Sequence, residues 1–276
     1  MHRLEKGLTM QPRHPVFATD YIGETVTAFA TASNAANDPS ADANELQWAK
    51  SVLTRYFETV GDTHDAVKTA CTRFEALRDA HSSELDRAPY RRNLAESPPV
   101  AYDDFYALCR RRRSVRFFLD QPVSRELIDK AILAAAQAPS ACNRQPFQFR
   151  IFEERAMIEK VAALALGGGG FAQRAPVLIV LVGSQRMFFD ERDRHVIYID
   201  ASLAAMSFML ALETLGLSSC PINWPDIEAA EEEMAKLIAL EEDERPILLI
   251  AVGQPDPQGL VAWSEKKPPQ QLRRFG

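Results

Sequence analysis

Five arginines fall within seven positions, Arg110-Arg111-Arg112-Arg113-Ser114-Val115-Arg116. Like charges on adjacent positions repel, so a bound anion is one natural reason for the cluster. The planar guanidinium fork suits a phosphate, and the Ser114 hydroxyl adds a donor. A helix end is the other reason, since cations in a last turn complement the helix dipole. Spacing alone leaves both open. A second segment, Ala138-Pro139-Ser140-Ala141-Cys142-Asn143-Arg144-Gln145-Pro146-Phe147, sets small residues beside two prolines. Such a loop is stiff and lets a flat ligand approach the backbone, with amide groups offered by Asn143 and Gln145. It also reads as a plain connector.

The elements that would position these segments alternate between helix and strand. Tyr102 to Arg112 is an amphipathic helix with Phe105, Leu108 and Cys109 on one face. Ser124 is a good N-cap for a helix through Leu127, Ile128, Ala131 and Ala135, which must stop by Pro139. Phe147, Phe149 and Ile151 alternate with polar residues as in a half-buried strand, and Pro176 to Val182 reads as a strand buried on both faces. Asp200 opens a long apolar helix closed by Gly216, and Arg245 to Gly253 is a last strand. Met206, Phe208 and Met209 read as core packing, and Gly167 to Gly170 as a flexible loop without dinucleotide-binding context. The first hundred residues show helical periodicity only, at Leu46, Ala49, Leu53, Tyr56 and Val60 and again at Val67, Cys71, Phe74 and Leu77. Asp42 with Glu45 resembles a capping box. Gly61 to His64 is a turn signal, and Ser33 to Ala43 reads as a mobile loop. A boundary at Ser97-Pro98-Pro99 divides a helical region, 1–98, from a mixed α/β region, 99–276.

The chain has 276 residues, 46% hydrophobic and 25% charged, with a net charge of -6. That balance excludes extended disorder, and the acidic charge argues against a nucleic-acid partner. A chain of this length buries about three quarters of its unfolded surface and needs no metal or disulfide staple. Cys71, Cys109, Cys142 and Cys220 stand singly, which leaves zinc-ribbon and thioredoxin chemistry unsupported and favours a reducing compartment. The apolar runs Pro176 to Gly183 and Ile247 to Val252 are too short to cross a bilayer, and Met1 to Gly7 lacks a signal-peptide core. The expectation is a soluble, cytoplasmic protein without a membrane segment.

Taken together, the motifs resemble the FMN-dependent nitroreductase family. Arg112-Arg113-Ser114-Val115-Arg116-Phe117 is similar to its opening motif, and Ala138 to Phe147 to its Ala-Pro-Ser-x-x-Asn-x-Gln-Pro-aromatic motif. Gly216 to Trp224 matches a third segment, and Lys266-Lys267-Pro268-Pro269 a basic C-terminal tail. The four stand in the family's order over residues 100 to 276. The resemblance implies an α+β fold with a mixed, mainly antiparallel sheet flanked by helices. It also implies FMN at a homodimer interface, NADH or NADPH as donor, and a nitro, quinone or similar organic acceptor reduced by a ping-pong cycle.

Residue by residue, the resemblance makes Arg112 and Ser114 ligands of the FMN phosphate, with Arg113 beside them and Lys266 or Lys267 completing the site. Arg116 stands where the family places a cation near flavin N1 and the C2 carbonyl, where reduction builds negative charge. Pro139, Ser140 and Asn143 match a loop that reaches the cofactor from the other subunit. Pro221, Ile222, Asn223 and Trp224 match the segment whose backbone faces flavin N5. No catalytic side chain and no metal are implied, because the flavin carries the chemistry.

Two departures stand out. Trp224 replaces a usual Gly, so an indole would narrow or block the substrate pocket, and the stretch between Val182 and Asp200 is short where relatives carry a helical excursion. In addition, His2-Arg3-Leu4-Glu5-Lys6-Gly7-Leu8 resembles a motif of a nitroreductase-like subfamily associated with polysaccharide biosynthesis, whose members carry residues upstream of this Met. A frayed, charged terminus is the other reading of that heptapeptide. These features keep a non-catalytic alternative open, a flavin-binding or partner protein of polysaccharide biosynthesis.

Overall fold

A computed structural model describes residues 1–35, 42–61, 64–78 and 87–276. The chain divides into two compact units, Met1–Ser97 and Pro98–Gly276. In the first, four helices enclose a core: α1 (His2–Thr9), α2 (Ile22–Asn34), α3 (Ala43–Val60) and α4 (Asp65–Arg78). Leu4, Ile22, Val26, Leu53, Tyr56 and Phe74 are its buried centre. Asp42 caps α3 by accepting from the Asn44 N–H at 2.8 Å, which satisfies one orphan donor of the first turn. Of the expected loop over 33–43, residues 33 and 34 belong to α2, and residues 36–41 lie outside the described residues, as do Asp62 and Thr63 of the expected turn.

The heptapeptide at the start is a folded helix rather than a frayed end. The Arg3 guanidinium lies 4.0 Å from the centre of the Tyr21 ring, Leu4 is fully buried, and the Glu5 carboxylate accepts from the Trp48 indole N–H at 2.9 Å. A Cβ on Gly7 would stand 2.2 Å from the Phe17 ring, so only glycine lets that ring lie against α1. Its most constrained positions are thus accounted for by packing within the helical unit.

The second unit holds a four-stranded sheet in the order β1-β2-β4-β3, with every neighbouring pair antiparallel. The strands are β1 (Phe147–Phe152), β2 (Val177–Ser184), β3 (Ser218–Asn223) and β4 (Glu244–Gly253). The parallel component is a single bridge, Ser114 to Ser219. Helices α5 (Tyr102–Arg111), α6 (Arg125–Ala135), α7 (Arg155–Leu164), α8 (Val196–Thr214), α9 (Glu228–Ile238) and the short α10 (Pro269–Leu272) complete the unit. The period of two along β2 sorts its side chains. Val177, Ile179 and Leu181 join the core under α6 and α8, while Leu178, Val180 and Val182 join the core under α7 and α9. Each such side chain contributes about 1.5–3 kcal/mol by leaving water.

Several expectations are corrected. β3 was not legible as a strand; it carries Pro221 in its middle, which an edge strand tolerates. α8 starts at Val196, four residues before Asp200, with His195 at its N-cap. The stretch Glu191–Thr214 that contains it is long and apolar enough to cross a membrane by length and composition, its most apolar window having a mean hydropathy of 1.6; run lengths hide this because small and polar residues interrupt the apolar runs. Here α8 is the central helix of the core. Met206 is 40% exposed rather than core, and of the glycines at 167–170 Gly168 is the buried one: a Cβ on it would meet the Ala172 methyl at 2.8 Å, while Gly169 and Gly170 face open space.

Candidate functional site

Helix α5 ends at Arg111, and the chain turns along the free side of β3. The Val115 N–H donates to the Ser219 carbonyl at 3.0 Å. This turn distributes the arginine cluster among separate partners. Arg111 pairs with the buried Glu213 of α8 at 3.4 Å. The Arg113 guanidinium donates to the carbonyls of Ala262 and Trp263, which ties down the start of the tail bearing the exposed Lys266 and Lys267. Arg116 lies 5.6 Å from the centre of the Phe171 ring.

Arg112 differs from its neighbours. Its Nε is buried with no hydrogen-bond partner, and so is the Oγ of Ser219. Buried polar atoms almost always have partners, and among the described residues only four side-chain atoms lack one. Two of the four flank this turn. Both are donors, and a phosphate oxygen is the acceptor they suit. The donor set at the turn therefore fits the phosphate of a nucleotide cofactor.

Electrostatics around the turn follow from burial. Burial pushes the Glu213 carboxyl up, against opposing pulls from the Ser218 hydroxyl and from Arg111 and Arg112; the Ser218 hydroxyl donates to it at 3.0 Å. Burial likewise pushes the Cys220 thiol up, although Arg116, Ser114 and Arg112 favour the thiolate. A buried thiol held protonated is a packing group rather than a nucleophile.

From Ser219 the strand runs to Asn223, about 14 Å at the usual rise per residue. Pro221 is half-buried and Asn223 exposed, while the Ile222 side chain is buried in the α7–α9 core. Trp224 corrects an expectation: its indole is 7% exposed within that same core and donates to the Glu231 carboxylate of α9. The ring is thus spent on packing in that core.

The loop with Pro139, Ser140 and Asn143 is not brought to the arginine turn. It leads into β1, the other edge of the sheet, where Phe147 pairs with Gly183 near the end of β2. Ser219 pairs with Val252, and Val252 with Val177 at the start of β2. Three strand spacings and six residues of rise separate them, roughly 14 Å across and 20 Å along. Pro139 and Asn143 are exposed.

A family model described as the nitroreductase family matches residues 109–169 and 160–254, and the chain belongs to that family. A protein of Methanothermobacter thermautotrophicus assigned as an NADH dehydrogenase/NAD(P)H nitroreductase is 30% identical over 156 residues, covering 56% of this chain and 80% of that one. An FMN reductase [NAD(P)H] of Bacillus subtilis is 28% identical, covering 52% and 62%. Among solved structures, a nitroreductase family protein of Streptococcus pneumoniae superposes with a TM-score of 0.54 at 25% identity, over 62% of this chain and all of that one. The match to the family model begins at Cys109, beyond the helical unit.

Arginine spacing missed three residues that the fold brings to these segments: Ser219, Glu213 and Asp200. The signal for the two acids was present, since they are the only carboxylates in the otherwise apolar stretch of α8.

Proposed function

We infer that this chain is an FMN-dependent NAD(P)H oxidoreductase, and we propose that it works as a homodimer in which each flavin site is shared. The placement of the two halves of the candidate site at opposite edges of one sheet carries the reading. One chain cannot close both around a single cofactor; a second copy can. The second support is α8, which is apolar on every side. Ile199, Leu203 and Met206, spaced on one face, stand 52%, 43% and 40% exposed in the single chain. A helix apolar all round is normally covered on all sides.

In this reading Arg112, Ser114 and Ser219 hold the phosphate, and Arg113 fixes the tail so that Lys266 or Lys267 adds charge there. The backbone of Pro221, Ile222, Asn223 and Trp224 faces the flavin ring. Arg116 places a cation at its N1 and C2 side, and Pro139, Ser140 and Asn143 of the other copy cover it. FMN held there would supply the hydride and electron transfer from NAD(P)H, so the residues' part is to bind, orient and supply charge. The acceptor is a nitro compound, a quinone or a similar organic molecule, reduced in a ping-pong cycle. Cys109, Cys142 and Cys220 form no disulfide, which fits a reducing cytoplasm.

The test is the purified chain itself: flavin absorbance per chain, mass by light scattering, and NAD(P)H oxidation with quinones and nitroaromatics. The expectation is one FMN per chain, a dimer mass and acceptor-dependent oxidation. FMN bound to a monomer would overturn the shared site. FMN bound without NAD(P)H oxidation would favour the non-catalytic alternative.

A further inference from the structure

The Ala138–Phe147 loop holds its shape against its own backbone preferences. Cys142, Asn143 and Gln145 have φ of 54°, 53° and 48°, the left-handed region that costs a residue with a Cβ about 1–2 kcal/mol. Such a run persists only where its surroundings over-determine it. The Ser140 hydroxyl accepts from the Gln145 N–H at 3.0 Å. The Arg144 guanidinium donates to the Met187 carbonyl and lies 5.3 Å from the centre of the Phe188 ring. The Ser184 N–H donates to the Pro146 carbonyl at 2.9 Å. At the head of the run, the Ala141 N–H donates to Oδ2 of Asp200 at 2.9 Å.

Asp200 is the unusual member of this set. It sits in the first turns of α8, 3% exposed, beside core residues such as Ile197 and Ala201. A carboxylate there is costly unless hydrogen-bonded, and this one accepts from the loop. Ser140 and Asn143, the residues read as covering the flavin, flank Ala141 and Cys142.

We propose that Asp200 is a positioning residue for the cofactor: its buried carboxylate fixes Ala141 and thereby the left-handed run that presents Ser140 and Asn143. This rests on the flavin-site reading given above. Asp200 touches no part of that site itself; it acts through the loop.

The test compares FMN dissociation constants and apoprotein melting for wild type, Asp200→Asn, Asp200→Ala, Asn143→Ala and the double variant Asp200→Ala/Asn143→Ala. It also follows exchange of the Ala141 amide hydrogen in the apoprotein. Asp200→Ala should weaken FMN binding about tenfold or more, the loss of one hydrogen bond to a charged group. Asp200→Asn, which keeps an acceptor for the Ala141 N–H, should restore most of the affinity. In the Asn143→Ala background the Asp200→Ala effect should largely vanish, because coupled residues are non-additive. The Ala141 amide should exchange slowly in wild type and Asp200→Asn and quickly in Asp200→Ala. Should Asp200→Ala fail to fold, Ala141→Pro removes the donor from the loop side and is expected to weaken FMN binding similarly.

Unchanged FMN affinity in a folded Asp200→Ala or Ala141→Pro variant would overturn the proposal. So would an effect that adds fully to that of Asn143→Ala, since a merely structural residue behaves that way. Failure of the wild-type protein to bind FMN would overturn the flavin-site reading itself. Binding that is intact in wild type and indifferent to Asp200 would overturn only the assignment of Asp200.

Discussion

Ser114 forms a parallel bridge with Ser219, so the turn that carries the arginines lies against β3 as a short added edge. Helix α5, the turn and β3 thereby become one frame, and Arg112 is held where its Nε is buried.

Replacing Arg112 with Ala should therefore weaken FMN binding by about ten- to a hundredfold, the 1.5–3 kcal/mol typical of a charge-assisted contact. Riboflavin lacks the phosphate and should bind wild type worse than FMN, with a gap that narrows in the variant. Fluorescence titration with both ligands measures this. An FMN affinity equal to wild type would leave the arginines as a helix end.

Arg116 follows Arg112 by four positions and lies over Phe171 rather than in the turn. Arg116→Gln should lower the flavin midpoint potential while leaving FMN occupancy nearly unchanged. A loss of about 1.4 kcal/mol in favour of the reduced form corresponds to roughly 30 mV for a two-electron couple. Spectroelectrochemical titration at measured FMN content decides between electronics and anchoring: an unshifted potential in a fully loaded variant defeats the assignment.

Leu203→Glu puts a charge on the exposed stripe of α8 without touching the arginine turn. Light scattering should then give a monomer mass, and FMN content should fall with it. A dimer of unchanged mass would remove α8 from the interface.

Two carboxylates should respond to pH with opposite sign. Burial raises the Glu213 carboxyl, so the folded state binds its proton more tightly, and stability falls as pH rises from the ordinary carboxylate range through the raised value. Glu213→Gln keeps an acceptor for Ser218 but cannot ionise, so wild type should lose ground against it over that rise. Asp243 is held well below the usual range, chiefly by hydrogen bonding to Arg186. Its stabilisation is full above the ordinary range and is lost progressively as pH falls from that range toward the depressed folded value, so wild type should lose its advantage over Asp243→Asn on acidification. Thermal melts of both variants from acidic to neutral pH read the two slopes.

Gly7→Ala forces a methyl group into the Phe17 ring. Overpacking of this kind costs about 1–3 kcal/mol. The denaturant midpoint followed through Trp48, the tryptophan of the helical unit, should drop. An unchanged midpoint would mean that Phe17 swings aside freely.

Burial was legible where it follows a simple pattern: β2 with neither face wet, and the helices of the first unit; in β1 the expected alternation fails at Ile151, which is exposed, and at Arg150, which is half-buried. β3 escaped because Ser218-Ser219-Cys220-Pro221 carries neither alternation nor an apolar run, and its pairing with β4 is a tertiary fact. The arginine cluster was visible as charge, yet its division among Glu213, the tail carbonyls and Phe171 depends on residues distant in sequence. Asp200 and Glu213 were noticeable as isolated acids in an apolar helix. Their partners were not, because each reaches a group that only the fold brings near.

The diagonal placement of the arginine turn and the Pro139–Asn143 loop has a genetic consequence. When two copies share each site, a chain damaged only at Arg112 and a chain damaged only at Asn143 are defective for different reasons. Co-expressed, they complement: a mixed dimer has one site built from two damaged halves and one built from two sound halves. Random pairing of equal amounts restores about a quarter of the wild-type sites, from two populations that each contain none.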